Sequence, residues 1–220
     1  LFETGTFKFG VGDIKYKDLN GDGVINYGDP NDKEHGTNTV ENHGDLKVIG
    51  NSLPNFEYGF NIGLDYKGFD FSTYFQGVGK RDYWAYGNVA IPSGMSNMDA
   101  IFTHQLDYWT EDNRDAFYPR PADHSWVSDG QNFKKQTRFL SDMSYLRCKN
   151  ITVGYTLPAN LLKKIQFQKL RVYFSAENVF EFDNMHLPVD PETTSYKGAW
   201  AFGRSYPYMR NISFGIQAVY

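Results

Sequence analysis

The chain has 220 residues, 38 of them aromatic (18 Phe, 16 Tyr and 4 Trp), and its 26 acidic and 22 basic side chains leave a net charge of −4. That balance excludes a generic nucleic-acid binder, which needs a basic face to displace phosphate counterions, and the single cysteine, Cys148, excludes a disulfide framework and a cysteine-based zinc site. No stretch approaches the roughly 18 apolar residues of a transmembrane helix, but a barrel strand turns an apolar side chain outward only at every second position, so a β-barrel stays open.

The chain opens Leu1-Phe2-Glu3-Thr4-Gly5, without an initiator Met, a basic leader or an apolar leader. The expectation is an internal start, in a processed product or a fragment of something longer. Residues 1–55 precede the first strand and read as a loop region. Within it, residues 18–29 (Asp-Leu-Asn-Gly-Asp-Gly-Val-Ile-Asn-Tyr-Gly-Asp) fit the spacing of an EF-hand calcium loop. Asp18, Asn20 and Asp22 fall on the first three ligand positions, Gly23 on the sharp turn and Val24 on the carbonyl position. Asn26 and Asp29 fall on the last two. Oxygen donors of mixed charge at alternate positions suit a hard cation, so the expected cofactor is a structural calcium. The loop departs from an EF-hand where Gly28 and Pro30 interrupt the exit helix and where Asp replaces Glu at the closing position.

Strict alternation begins at Phe56. Phe56, Tyr58, Phe60, Ile62, Leu64 and Tyr66 share one face, and Glu57, Gly59, Asn61, Gly63 and Asp65 the other. A strand of this length exceeds the five or six residues typical of globular sheets and matches the 9–11 or so that cross a bilayer at a tilt. After Lys67-Gly68 a second strand carries Phe69, Phe71, Thr73 and Phe75 on its apolar face. The expected strands lie at about 56–66, 69–78, 145–157, 169–178 and 209–220. In the third, Ile151, Val153 and Tyr155 point outward, and Cys148 falls on the inward register with Asn150 and Thr152.

Short and long connections alternate along the chain. Roughly two residues join the first pair and roughly a dozen the third and fourth, whereas long loops occupy 79–144 and 179–208. Outer-membrane barrels have this asymmetry, with short periplasmic turns and long extracellular loops. A soluble β-sandwich, the competing fold, has shorter strands and a turn signal every 8–12 residues or so. The five histidines lie in loops without ligand spacing, and no nucleophile or phosphate-loop motif is present, so no enzyme activity is expected. Asp107, Glu111, Asp112 and Asp115 read as solvated loop carboxylates. Among the loop aromatics, Trp84, Trp109, Trp126 and Trp200 are candidate anchors for a partner or ligand, because Trp is enriched at interface hot spots.

Several runs together carry a family resemblance. They are Gly12-Asp13-Ile14-Lys15-Tyr16-Lys17-Asp18-Leu19-Asn20-Gly21-Asp22-Gly23, Ile49-Gly50-Asn51, Asn55-Phe56-Glu57-Tyr58-Gly59-Phe60, Tyr66-Lys67-Gly68-Phe69-Asp70-Phe71, Lys149-Asn150-Ile151-Thr152-Val153-Gly154-Tyr155 and Arg210-Asn211-Ile212-Ser213-Phe214-Gly215. In this order they resemble the SusC/RagA-like TonB-dependent transporters of Bacteroidota. The resemblance implies an all-β fold, the last five strands of a 22-stranded antiparallel transmembrane β-barrel with a plugged lumen, and a place in the outer membrane. It implies import of glycans, peptides or similar nutrients beneath a SusD-like surface lipoprotein. The implied partners are the plug and earlier strands of the same transporter, TonB through the missing N-terminal part, and lipid with lipopolysaccharide, but no nucleic acid. Tyr220 resembles the closing aromatic by which such barrels are recognised during assembly. The alternative reading is a soluble calcium-dependent carbohydrate-binding or dockerin-like module, for which a second copy of the Asp18–Asp29 loop is missing.

Overall fold

Alternating aromatic and β-branched residues favour a pleated surface with two unlike faces, and here they build one antiparallel sheet. The computed structural model describes residues 8–85, 87–92, 100–121, 131–192, 205–206 and 208–220. The chain divides into two compact units. One comprises Leu1–Gly50, Trp84–Leu140 and Tyr196–Phe202, the other Asn51–Tyr83, Ser141–Ser195 and Gly203–Tyr220. This differs from a division at residue 55, because 84–140 gathers with 1–50 instead of standing apart as a strand-to-strand loop.

The second unit holds β1 (Phe56–Tyr66), β2 (Phe69–Gly79), β5 (Tyr145–Thr156), helix α1 (Ala159–Ile165), β6 (Lys169–Asp183) and β7 (Asn211–Val219), while the short β3 (Asp82–Trp84) and β4 (Leu140–Asp142) lie at the division between the units. Five strands form one sheet in the order β1-β2-β5-β6-β7, and β3 pairs with β4. Every neighbouring pair in the large sheet is antiparallel. Among the described residues, β1 and β7 are its two edges.

Lys67 and Gly68 join β1 to β2 with φ of 48° and 88°. Two positive-φ residues make the hairpin turn whose twist matches that of the flanking strands. Gly68 is required twice over, since a Cβ there would also lie 2.7 Å from the Thr156 carbonyl oxygen. The β5–β6 connection contains α1, which alternation alone does not reveal. Pro158 opens it in an extended conformation and Gln166 closes it at φ 59°, the left-handed turn that ends many helices.

Two sequence expectations need correction. The fourth strand continues to Asp183 rather than stopping at 178, so the loop after it is shorter. Cys148 is not on the inward register. A bulge between Cys148 and Asn150 inserts one residue, pairing Phe75 with Cys148 and Cys148 with Phe180. The bulge switches faces, and buried Cys148 lies beside Thr73 Oγ1 at 3.5 Å. The same hydroxyl donates to the Asn150 carbonyl at 2.9 Å, supplying a partner that an irregular ladder would leave out.

The first unit is held by aromatic packing and buried amides. Phe139 stacks on Tyr118 with centroids 5.8 Å apart and meets Phe117 edge-on at 5.3 Å and Phe133 at 4.9 Å. Arg138 donates to the Ala116 and Phe117 carbonyls at 2.7 and 2.8 Å, and buried Gln105 donates to the Asn88 carbonyl at 2.6 Å. Burial pushes the Tyr118 hydroxyl up to about 12.

Candidate functional site

Aspartates and asparagines fold back on nearby amides, and this is how residues 18–29 take shape. Asp18 accepts from the Gly21 and Gly23 amides at 2.6 and 2.9 Å, Asn20 from Asp22 at 3.0 Å, and Asp22 from Val24 at 2.7 Å. The Asn20 amide donates to the Asp22 carboxylate at 2.9 Å, so the first three expected ligands share one turn. Asn26 accepts from the Gly28 amide at 2.7 Å. Asp29 is engaged elsewhere, its carboxylate accepting from Asn31 at 2.8 Å and its amide donating to Asn42 at 2.7 Å.

Sequence reasoning missed the residue that closes this loop. Asp45 accepts from Leu19 at 2.6 Å and Asn26 at 2.8 Å, tying both ends of the loop to one carboxylate. Desolvation opposes its charge, yet the amides of Leu19, Asn26 and Asn20 hold its carboxyl below the ordinary range. Its only sequence signal is an Asp 16 residues after the loop, which no spacing rule detects. No helix leaves the loop, since residues 8–55 contain neither helix nor strand. That removes the helical frame of a dockerin. Among the described residues no three His, Cys, Asp or Glu side chains gather as a metal cluster. The oxygen groups of this stretch are two carboxylates, Asp18 and Asp22, the Asn20 amide oxygen and the Val24 carbonyl, and the side-chain oxygens accept from the loop's own N–H groups. This mixed hard-oxygen set fits calcium better than zinc.

The segment before the loop is anchored by a second missed residue. The Asp13 side chain is 1% exposed and pairs with Arg120, whose Nη2 lies at 2.8 Å. Arg120 Nε and Asn132 Nδ2 each donate to Asp13 Oδ1 at 2.8 Å, and Gly10 donates to Oδ2 at 2.8 Å. Desolvation pushes against the charge, but these donors hold the Asp13 carboxyl below its ordinary range. Nearby, Gly12 has φ +88° and a Cβ there would meet the Trp109 ring at 2.5 Å. Trp109 is therefore a packing residue within this unit. Trp84 is half-buried, and Trp126 and Trp200 lie outside the described residues. Asp107, a loop carboxylate, accepts from the Phe117 amide and the Asn113 side chain at 3.1 Å each, a turn-forming role.

On the sheet, one face is a set of continuous apolar rows. Leu64, Phe71, Val153, Phe174 and Phe214 stand in register across all five strands, as do Tyr66, Phe69, Tyr155, Val172 and Ile216. Leu64 is 64% exposed, Phe214 81% and Ile216 73%, while Phe71 and Phe174 are half-buried. Opposite them runs the polar row Gly63, Ser72, Thr152, Ser175 and Ser213, in which the Thr152 and Ser175 hydroxyls lie 3.3 Å apart. Farther along the polar face Asp70 of β2 and Arg171 of β6 pair across β5, Nε to Oδ1 at 2.8 Å. They pass over Gly154, where a Cβ would come within 2.5 Å of both.

At the other end of the polar face, Arg147 is 2% exposed. Its guanidinium contacts Glu181, Asp190 at 2.8 Å and Glu192 at 2.5 Å. Lys149, the bulge residue, reaches Glu192 at 2.9 Å. The Tyr208 ring lies 5.1 Å from the Arg147 guanidinium and 4.3 Å from the Lys149 ammonium. This network fastens the segment after β6 to the strands. The sequence offers the charges but not their meeting, because the bulge that aims Lys149 has no sequence signature.

No family model matches the sequence. Among curated proteins the chain is similar to TonB-dependent receptor P3 of Formosa agariphila, with 31% identity over 182 residues, 78% of this chain and 17% of the receptor. It is similar to TonB-dependent receptor P26 of the same organism, with 27% identity over 220 residues, 96% of this chain and 20% of the receptor. The chain thus spans about a fifth of the length of the curated relatives it matches. Among solved structures, a chain of the RagAB peptide transporter aligns with a TM-score of 0.60 and 26% identity over 79% of this chain and 18% of that one. The RagAB peptide importer in its closed-closed state aligns with a TM-score of 0.59 at 23% identity, over 83% of this chain and 19% of that one, a likeness of fold. Among the described residues no helix is long and apolar enough to cross a membrane.

Proposed function

This chain belongs to the SusC/RagA-like TonB-dependent transporters of the outer membrane, and from that premise we propose that it supplies adjoining wall strands and a loop assembly to a nutrient importer. The relatives are receptors and transporters, and the role is transport rather than catalysis. The observation that carries the reading is the five-stranded sheet with an exposed apolar face and two open edges. In hydrocarbon an open edge leaves backbone groups unsatisfied at several kcal/mol each, so such a sheet needs further strands on both sides. Its strands are long enough for the task. The eleven residues of β1 span about 37 Å, or about 26 Å along the normal at a 45° tilt, close to the roughly 25 Å apolar band.

In this reading the earlier strands and the plug complete the barrel, and energy arrives through TonB at a part of the protein outside this chain. Lipid and lipopolysaccharide cover the apolar rows. A SusD-like lipoprotein lies over the loop unit, and the cargo is a glycan, a peptide or a similar nutrient. The similarity to the RagAB peptide transporter supports an importer. Purification from membranes in mild detergent tests this. Recovery of the chain with the rest of a barrel and a surface lipoprotein is expected, whereas a monodisperse monomer in detergent-free buffer would sink it.

The Asp18–Asp29 loop, in the same proposal, holds a structural calcium through Asp18, Asn20, Asp22 and the Val24 carbonyl, with Asn26 and Asp29 as outer or water-mediated ligands. The turn that gathers the first three residues supports it. Calcium titration followed by calorimetry is the check, and a wild-type protein that takes up no heat while Asp22→Ala behaves identically would refute it.

A further inference from the structure

Beside the Asp18–Asp29 loop the first unit contains a cleft of about 500 Å³, within the 300–1,000 Å³ or so typical of small-ligand sites. Its aliphatic side chains are Ile14, Leu19, Ile25, Leu46 and Ile49. Around them stand Lys15, Lys17, Lys47, Lys134 and Lys135, with Asp45 the one carboxylate on the wall. Asp45 is already committed to the Leu19 and Asn26 amides. Among the described residues none of these five ammonium groups has a carboxylate partner. Five uncompensated cations around one cleft, in a chain of net charge −4, are a local reversal of sign that attracts anions.

We propose that this cleft binds a short peptide that combines acidic and aliphatic side chains. The cations select carboxylates, and the branched aliphatic wall selects apolar side chains. Tyr16 and Tyr27 also line the cleft, and the Tyr16 hydroxyl is occupied, donating to the Gln131 carbonyl at 2.5 Å. Gln136 and Thr137 stand along the wall and offer hydrogen bonds to an extended main chain. The volume fits a few residues of free peptide, whereas a folded partner needs about 1,000 Å² of contact for stable docking. The cleft is preformed, because Tyr16 also accepts from the Lys134 amide at 3.2 Å and from Gln136 at 3.3 Å, fixing one wall to the other. The inference concerns the loop unit alone and stands whether or not the barrel carries nutrients.

The test uses the detergent-purified transporter that contains this chain, and fluorescence anisotropy of a labelled hexapeptide of alternating leucine and glutamate. Binding is expected at low salt, weakening as salt rises and at least tenfold poorer for the leucine–glutamine analogue. Replacing Lys15, Lys47 and Lys135 together by Gln should weaken the glutamate peptide about tenfold, as the loss of three exposed ion pairs implies. Lys33→Gln, on the same unit but off the cleft, should leave it unchanged. The proposal fails if the wild-type protein binds neither peptide or if the triple variant matches it. It fails equally if oligoglutamate without leucine binds as tightly, since that marks a merely cationic surface. Loss of transport without loss of peptide binding would count against the importer and leave the cleft standing.

Discussion

Placing an arginine at Phe214 tests which medium meets the apolar face. Phe214 sits near the middle of β7, 81% exposed, with its ring centroid 5.2 Å from that of Phe174. An arginine on the lipid side costs about 2–4 kcal/mol at the midplane, and the lost ring pair adds about 0.5–1.5 kcal/mol. Phe214→Arg should therefore lower the folding equilibrium by roughly two to four powers of ten. Ser213→Arg, one residue away on the polar face, should stay within about 0.5 kcal/mol, as ordinary exposed substitutions do. Tyr220→Arg, one residue past the end of the same strand, should cost only about 0–1 kcal/mol, because the penalty falls toward the interface. Urea unfolding of the vesicle-inserted barrel, read by the gel mobility of the folded form, measures all three. Equal costs at 213 and 214 would refute the assignment of faces. An undiminished cost at Tyr220 would mean that the apolar rows meet protein rather than lipid.

Asp45→Ala removes the acceptor shared by the Leu19 and Asn26 amides, so amide exchange across residues 18–28 should quicken at least tenfold while strand amides keep their rates. Hydrogen-exchange mass spectrometry checks both halves. The Asp13 carboxyl, depressed by its donors, contributes stability that is complete above the ordinary carboxylate range and is lost as pH falls through its lower folded value. Protection of the Ile14 amide, which donates to Asn132, should persist through mild acid and collapse only below that range. Loss of protection already at the ordinary carboxylate value would contradict the pairing. Arg147→Ala leaves Glu181, Asp190 and Glu192 without their shared cation. Breaking a buried pair in this way costs about 3–5 kcal/mol, and limited proteolysis should cut the 184–192 segment faster than in wild type.

The sheet was legible because alternation repeats a single rule over many residues. Phe56 to Tyr66 and Asn211 to Val219 are ladders whose faces follow from parity alone. Legibility ended where parity breaks. The Cys148–Asn150 bulge moves Cys148 to the opposite face, and an inserted residue looks the same in sequence whether it bulges or pairs. The helix at Ala159–Ile165 is too short to declare a period. In the loop unit, the Asx turns of Asp18, Asn20 and Asp22 were readable because their partners lie within five residues. Asp45 and the Asp13–Arg120–Asn132 contacts were not, since their partners lie as far as 119 positions away and no local rule reaches that distance.

The points at which the chain leaves and rejoins the wall are adjacent. Asp82 donates to the Asn51 carbonyl at 2.8 Å, and Met143 donates to the Arg81 carbonyl at 2.8 Å. The excursion between β2 and β5 is thus closed at its neck by the sheet itself. Closing a flexible loop costs only about 0.6 kcal/mol more for each doubling of its length, so the wall is nearly indifferent to how much chain hangs from that neck. The strands and the material beyond the neck answer to separate constraints, one set by hydrocarbon thickness and the other by whatever the protein meets outside. A neck of this kind behaves as a socket. Grafting residues 84–140 together with 1–50 from a relative should leave the register of the five-stranded sheet untouched.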